Sequence, residues 1–201
     1  MDMTVYTKVY DAPPFNKKEI LRYAGVTGDV AELDELLQTC IDEVSKRLTY
    51  KVCYCELPVK RNNDRIELGP IVTSSKALLK NLSGCHSTVL FAATVGVEID
   101  RAIARHSALS PTKALLFQAI GAERIESLCE IFDSDIKEEK ARSGYFTSSR
   151  FSAGYGDLPL ELQRDIFTIL DCPRKIGLTL NDSLLMSPSK SVTAIIGVGS
   201  K

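Results

Sequence analysis

Long apolar runs are missing from this chain. The longest, Val89–Ala93, falls far short of the ~20 residues that cross a bilayer. The opening Met1-Asp2-Met3-Thr4 lacks the basic-then-apolar layout of a secretory signal, so no membrane association and a cytoplasmic location are expected. An excess of one charge is missing too. Twenty-five Lys and Arg against 26 Asp and Glu leave a net charge of -1, with the basic residues scattered. That leaves no electrostatic footprint for nucleic acid. Histidine is scarce: His86, expected in a polar loop, and His106, near a helix end, lack the Ser/Asp or Cys context of a nucleophilic triad. Solvated or locally bonded imidazoles are expected at both. Among the six cysteines (Cys40, Cys53, Cys55, Cys85, Cys129, Cys172), only Cys53 and Cys55 are close in sequence. With no second pair or nearby His to complete a tetrahedral metal site, all six read as reduced thiols. P-loop, Gly-x-Gly-x-x-Gly, His-Glu-x-x-His and nucleophile-elbow motifs are absent, which removes the parts of the common phosphate, dinucleotide, zinc and serine-hydrolase chemistries.

What is there is the composition of a folded protein: 201 residues, 44% hydrophobic and 25% charged, without repeats or a dividing linker. Asn16 caps a short helix, Lys17 to Ala24, that Gly25 ends. An amphipathic helix is expected from Asp29 to Leu48, where apolar residues recur at helical spacing. Thr49 to Leu57 and Arg65 to Leu68 read as a hairpin about Asn62-Asn63-Asp64. Ser74 to Leu82 reads as a helix. Ser87 to Thr94, apolar without alternation, reads as a strand buried on both faces. A helix follows Gly96 to about His106, and Ser110-Pro111 opens a long one to about Lys140. Pro159 opens another through Leu170, stopped by Cys172-Pro173. Ile176 to Leu180 and Lys190 to Val198 are expected strands, the latter with Val192, Ala194, Ile196 and Val198 on one face. The pattern predicts one α+β domain.

At 100° per residue the long helix presents Phe117, Ile120, Gly121, Leu128, Ile131 and Phe132 as its core stripe, and Ala119, Ala122, Glu126 and Cys129 as a second face. Small neighbours around Glu126 allow close approach of a ligand, or equally a plain helix–helix contact with Glu126 at its wet edge. Further on, Arg150-Phe151-Ser152-Ala153-Gly154-Tyr155-Gly156-Asp157 forms a dense loop. Its arginine can grip a carboxylate through parallel donors, its glycines expose backbone, and Tyr155 offers an aromatic face. These features suit a small polar ligand with a carboxylate and a flat ring, although an arginine beside a Gly-rich turn also makes an ordinary surface ion pair.

Glu126, then Arg150-x-x-x-Gly154-Tyr155, then Ile176-Gly177-Leu178-Thr179-Leu180-Asn181-Asp182-Ser183-Leu184-Leu185-Met186-Ser187-Pro188-Ser189-Lys190-Ser191-Val192-Thr193 together resemble the activation (reactivation) domain of cobalamin-dependent methionine synthase. The likeness is strongest over 110–198. The part covering 1–105 resembles free-standing members, through Lys18-Glu19-Ile20-Leu21-Arg22-Tyr23 and Phe91-Ala92-Ala93-Thr94-Val95-Gly96. The resemblance implies a single C-shaped α+β domain around a twisted, mainly antiparallel sheet, binding S-adenosylmethionine in a shallow groove on the Arg-x-x-x-Gly-Tyr loop.

It also implies a repair function: reductive methylation of cob(II)alamin with an electron from a flavodoxin-like donor and a methyl group from S-adenosylmethionine. By the same resemblance, Glu126 and Arg150 hold the polar ends of the ligand. Phe151, Ser152, Ala153, Gly154 and Tyr155 line its adenosyl part, and Met186 and Pro188 lie on a neighbouring turn facing the corrinoid partner. With no homocysteine, folate or cobalamin module in these 201 residues, the chain is expected to act on a separate corrinoid methyltransferase, or a methionine synthase lacking its own activation domain. No catalytic side chain and no metal of its own are assigned. The alternative is a docking or sensing module for a corrinoid protein that no longer binds S-adenosylmethionine.

Overall fold

The two most apolar strands organise the molecule. The computed structural model describes residues 3–26, 31–62 and 64–200. In it β5 (Cys85–Thr94) lies antiparallel between β2 (Tyr50–Asn62) and β9 (Ser191–Ser200), with Phe91 opposite Ala194 and Tyr54 opposite Phe91. The outer edge of β2 is shared by β1 (Tyr6–Tyr10) and β3 (Arg65–Leu68), and β3 pairs onward with β4 (Ile71–Thr73). The outer edge of β9 takes β6 (Tyr145–Thr147). These seven strands form one antiparallel sheet, and β7 (Thr179–Leu180) and β8 (Met186–Ser187) make a separate ribbon.

Period-2 alternation sends neighbouring side chains of the central strands into two different cores. Val52, Val89, Phe91, Ala194 and Ile196 face a first core closed by α1 (Lys17–Tyr23), α2 (Ala31–Val44), α4 (Glu98–His106) and α5 (Pro111–Arg142). Cys53, Cys55, Leu90, Ala92 and Ile195 face a second, closed by α3 (Lys76–Asn81), α6 (Leu162–Leu170) and α7 (Cys172–Ile176). Burial on both faces is why these strands read as apolar runs. The result is a single α+β domain with a mainly antiparallel sheet and seven helices among the described residues. None of those helices is long and apolar enough to cross a membrane.

Several boundaries differ from expectation for identifiable reasons. Helix α2 stops at Val44, short of Leu48, because the Thr49 amide already donates to Val95 O at the entrance to the sheet. Its expected start at Asp29 and Val30 lies outside the described residues, as does Asn63 in the β2–β3 turn, which Asn62 and Arg65 flank as a pair. Ser110 makes no side-chain cap on α5; its carbonyl simply accepts from the Ala114 amide. After Pro159 the chain makes turns, and α6 begins only at Leu162. Asp171, left-handed at φ 49°, ends it. Cys172-Pro173 then opens α7 instead of stopping a helix, and the expected 176–180 strand shrinks to β7. His86 lies on β5 with its ring edge-on to Tyr145, not in a loop. His106 is locally bonded, to Glu43, and stacks on Phe117. All six cysteines are buried and unbridged.

Candidate functional site

Beyond α5 the chain returns along the outer edge of β9. The pairing runs from Tyr145 opposite Ser200, through Ser148 N donating to Gly197 O at 2.9 Å, to Phe151, which exchanges two 2.9 Å hydrogen bonds with Ile195. Strand alternation then places successive side chains on opposite faces. Phe151 enters the second core, whereas Arg150 turns to the α5 side, where its Nη2 donates to Glu126 Oε2 at 3.3 Å. The Arg150 side chain is 26% exposed and that of Glu126 42%.

The face of α5 under Arg150 is largely packed, with Glu126 at its wet edge. Ala119 and Cys129 are buried, and Ile131, expected in the core stripe, is only half-buried. A 32-residue helix meets the sheet, other helices and the loop along its length, so a single apolar stripe does not describe it. Burial pushes the Cys129 thiol up to about 12, so it is neutral at pH 7. Burial also works against the charge on Arg150, but its neighbours, Cys129, Glu126 and Asp133, outweigh that and raise its pKa. With the thiol neutral, the groups that hold the guanidinium at pH 7 are the carboxylates of Glu126 and Asp133.

The rest of the loop is a compact turn. The Gly154 amide donates to Leu158 O at 2.9 Å, and the Leu158 amide to Tyr155 O at 3.1 Å. Gly154 has φ +85°, and a Cβ there would lie 3.0 Å from Leu160 Cδ1, so both conformation and space require glycine. Ala153 is buried and Ser152 half-buried; Tyr155 is 69% exposed, its ring edge-on to Phe151 with centroids 5.5 Å apart. Asp157 anchors the far end. Its carboxylate accepts from the Ser75 hydroxyl and from the Lys76 and Ala77 amides at 2.7 and 3.1 Å, all at the start of α3. The bond from Ser75, then the Lys76 amide, hold its pKa below the usual carboxylate value.

Met186 and Pro188 lie apart from this loop, towards the Ser191 end of β9. Met186 is half-buried against the second core and Pro188 is buried; the large apolar side chain that this turn presents to solvent is Leu185, 65% exposed. The following residues clamp the turn to the helices. Ser189 N donates to Asp100 Oδ2 at 3.0 Å, and Lys190 Nζ to Gln118 Oε1 at 2.6 Å.

Three features were not anticipated. Asp157 was quoted in the loop, but its partners lie about 80 positions away in sequence, with no local signal. Asp133, seven residues after Glu126, was legible from helical spacing. The Glu123–Arg124 pair is buried, with Arg124 0% exposed and donating to Pro13 O and Pro14 O at 2.6 and 2.8 Å.

Comparison with known proteins adds a second line. The family described as vitamin B12 dependent methionine synthase, activation domain, matches residues 73–201. A solved structure described as the MetH reactivation domain bound to AdoHcy has a TM-score of 0.70 and 18% identity, covering 97% of this chain and 78% of that one. At that identity the likeness speaks for the fold. No curated protein matches the chain.

Proposed function

Because the chain belongs to the family of vitamin B12 dependent methionine synthase activation domains, we propose that it binds S-adenosylmethionine at the Arg150 loop and supports reductive methylation of cob(II)alamin on a corrinoid methyltransferase partner. The observation that carries this reading is the state of Arg150. It is a half-buried guanidinium rooted on the sheet edge, whose ion pair is a 3.3 Å contact to Glu126 with the Cys129 thiol beside it, and most of its five donors are unspent. Such a group can take a ligand carboxylate through two parallel bonds.

The ligand supplies a methyl group already carried by a sulfonium leaving group, and a flavodoxin-like donor supplies the electron that makes the corrinoid nucleophilic. This chain's own part is placement. Arg150 fixes the carboxylate, Glu126 accepts from the ammonium, and the turn from Phe151 to Tyr155 sets where the adenosyl part lies. No side-chain base is required, so positioning carries the rate. The corrinoid-facing role of the Met186–Pro188 turn belongs to the same reading, with Leu185 as its exposed apolar residue.

The test is a titration of S-adenosylmethionine into the purified chain, followed by an assay with a cob(II)alamin methyltransferase and a reductant. Micromolar binding and faster formation of methylcobalamin in the presence of the chain are expected. Equal rates with and without it would end the reactivation reading, and association with the corrinoid protein in the absence of ligand binding would select the docking or sensing role.

A further inference from the structure

The Arg150 site contains one more acid than the sequence motif supplies. Glu126 and Asp133 are two helical turns apart on α5, about 20° apart in angle and about 10 Å along the axis. Cys129 lies between them, buried, and Arg150 faces this stripe, with Asp133 adding to the charge that favours its protonated form. Asp133 is half-buried, and its Oδ1 is buried without a hydrogen-bond partner. A carboxylate oxygen in that state is costly to keep ionised, and a positive charge held nearby lowers that cost without touching the oxygen.

Two carboxylates and one guanidinium leave the site with one negative charge. S-adenosylmethionine carries a sulfonium, an ammonium and a carboxylate, and so one net positive charge. The thioether left after methyl loss, S-adenosylhomocysteine, has none. We propose that Asp133 is a ligand-selecting residue of the Arg150 site, its carboxylate favouring the cationic sulfonium over the neutral thioether product. With the ligand carboxylate on Arg150 and the ammonium beside Glu126, Asp133 stands further along the helix, where an extended ligand places its sulfur. The selection rests on the reading that this loop binds S-adenosylmethionine, and it gives the site a means of releasing product in favour of fresh methyl donor.

Calorimetric titration of S-adenosylmethionine and S-adenosylhomocysteine into the wild-type chain, Asp133→Asn and Arg150→Ala tests this. The wild type should prefer the sulfonium about tenfold at low salt, and the preference should shrink as ionic strength rises. Asp133→Asn should bring the ratio close to one, mainly by weakening S-adenosylmethionine, with the melting temperature held. If Arg150→Ala weakens both ligands while Asp133→Asn keeps the wild-type ratio, the selection is wrong and the binding reading survives. A wild-type preference that is absent, or indifferent to salt, also overturns the selection. If the wild type binds neither ligand, or Arg150→Ala changes neither affinity, the binding reading fails and the selection falls with it.

Discussion

Helix α5 engages two arginines in opposite ways. Arg124 is fully enclosed. It donates to Pro13 O, Pro14 O, Glu123 and Ser127, and its guanidinium stacks 4.0 Å from the Phe15 ring centroid. Glu123 in turn accepts from the Asn16 amide and the Ser127 hydroxyl. Every element of that pair is spent on holding the 13–16 segment and α1 to α5. Arg150 reaches the same helix from the sheet edge with one long bond to a half-exposed partner. A saturated ion pair reports on architecture, whereas an unsaturated one leaves donors for something else. The difference is one of unspent hydrogen-bonding capacity, because residue type and charge are identical.

The strongest way to break this comparison is to remove Arg124. Arg124→Ala strands a buried Glu123 carboxylate and frees two backbone carbonyls, so a loss of about 3–5 kcal/mol in unfolding free energy is expected. Urea denaturation measures it, and a loss under about 1 kcal/mol would mean the pair is not the structural clamp described. Arg150→Ala should show the complementary pattern. Removing a charge-assisted bond costs about 1.5–3 kcal/mol of ligand binding, or about 10- to 150-fold in affinity. The ion pair with Glu126, partly solvated, contributes at most about 1 kcal/mol to folding. Arg150→Lys should not restore affinity, since an ammonium lacks the planar two-donor fork. Unchanged affinity in Arg150→Ala together with a lowered melting temperature would place Arg150 in Arg124's category.

The same contrast explains what the sequence disclosed. Strands β5 and β9 were legible because burial on both faces leaves an apolar run, and the length of α5 because its helical composition is continuous. The faces of α5 were not. A wheel places Arg124 within the core stripe, about 20° from Phe117, but its residue type argues for solvent; the backbone carbonyls of Pro13 and Pro14 are what make its burial tolerable. Strand β1 is an exposed edge whose alternating Tyr, Lys and Val residues give a weak signal, and β6 lies in a segment that composition marks as loop. Arg150, Glu126 and the Gly154 turn are singled out together by the sequence, and the structure brings Arg150 to Glu126. Phe151 and Ala153 emerged as packing residues that root the loop in the second core.

That rooting can be sharpened at Gly154. An alanine there must hold φ near +85° and place its Cβ 3.0 Å from Leu160 Cδ1. The left-handed conformation alone costs about 1–2 kcal/mol. Gly154→Ala should therefore lower stability by about that amount and, on the proposed reading in which the turn sets the adenosyl part of the ligand, weaken S-adenosylmethionine binding as well. Thermal melts with and without ligand separate the two effects. A stable variant with full affinity would show that the turn's shape is irrelevant to binding.

The smallest effect is expected at the loop's outer anchor, Asp157, where the group is solvated and its partners are a hydroxyl and two amides at the start of α3. Its folded-state pKa lies below the ordinary value of 3.8, so the ionised form is the one the fold prefers. Stability from this contact is then complete above the unfolded-state pKa of about 3.9. It is lost as pH falls through the lower, folded-state value. Asp157→Asn keeps an acceptor but not the charge. The variant should therefore melt slightly below the wild type at pH 7, and the gap should close below about pH 4 as the wild-type carboxyl takes up its proton. Melting curves from pH 7 to pH 3 check this directly. A gap of constant size across that range would mean that hydrogen-bond geometry, and not charge, holds the loop to α3, and the anchor would then resemble the saturated Arg124 pair more than the open Arg150 one.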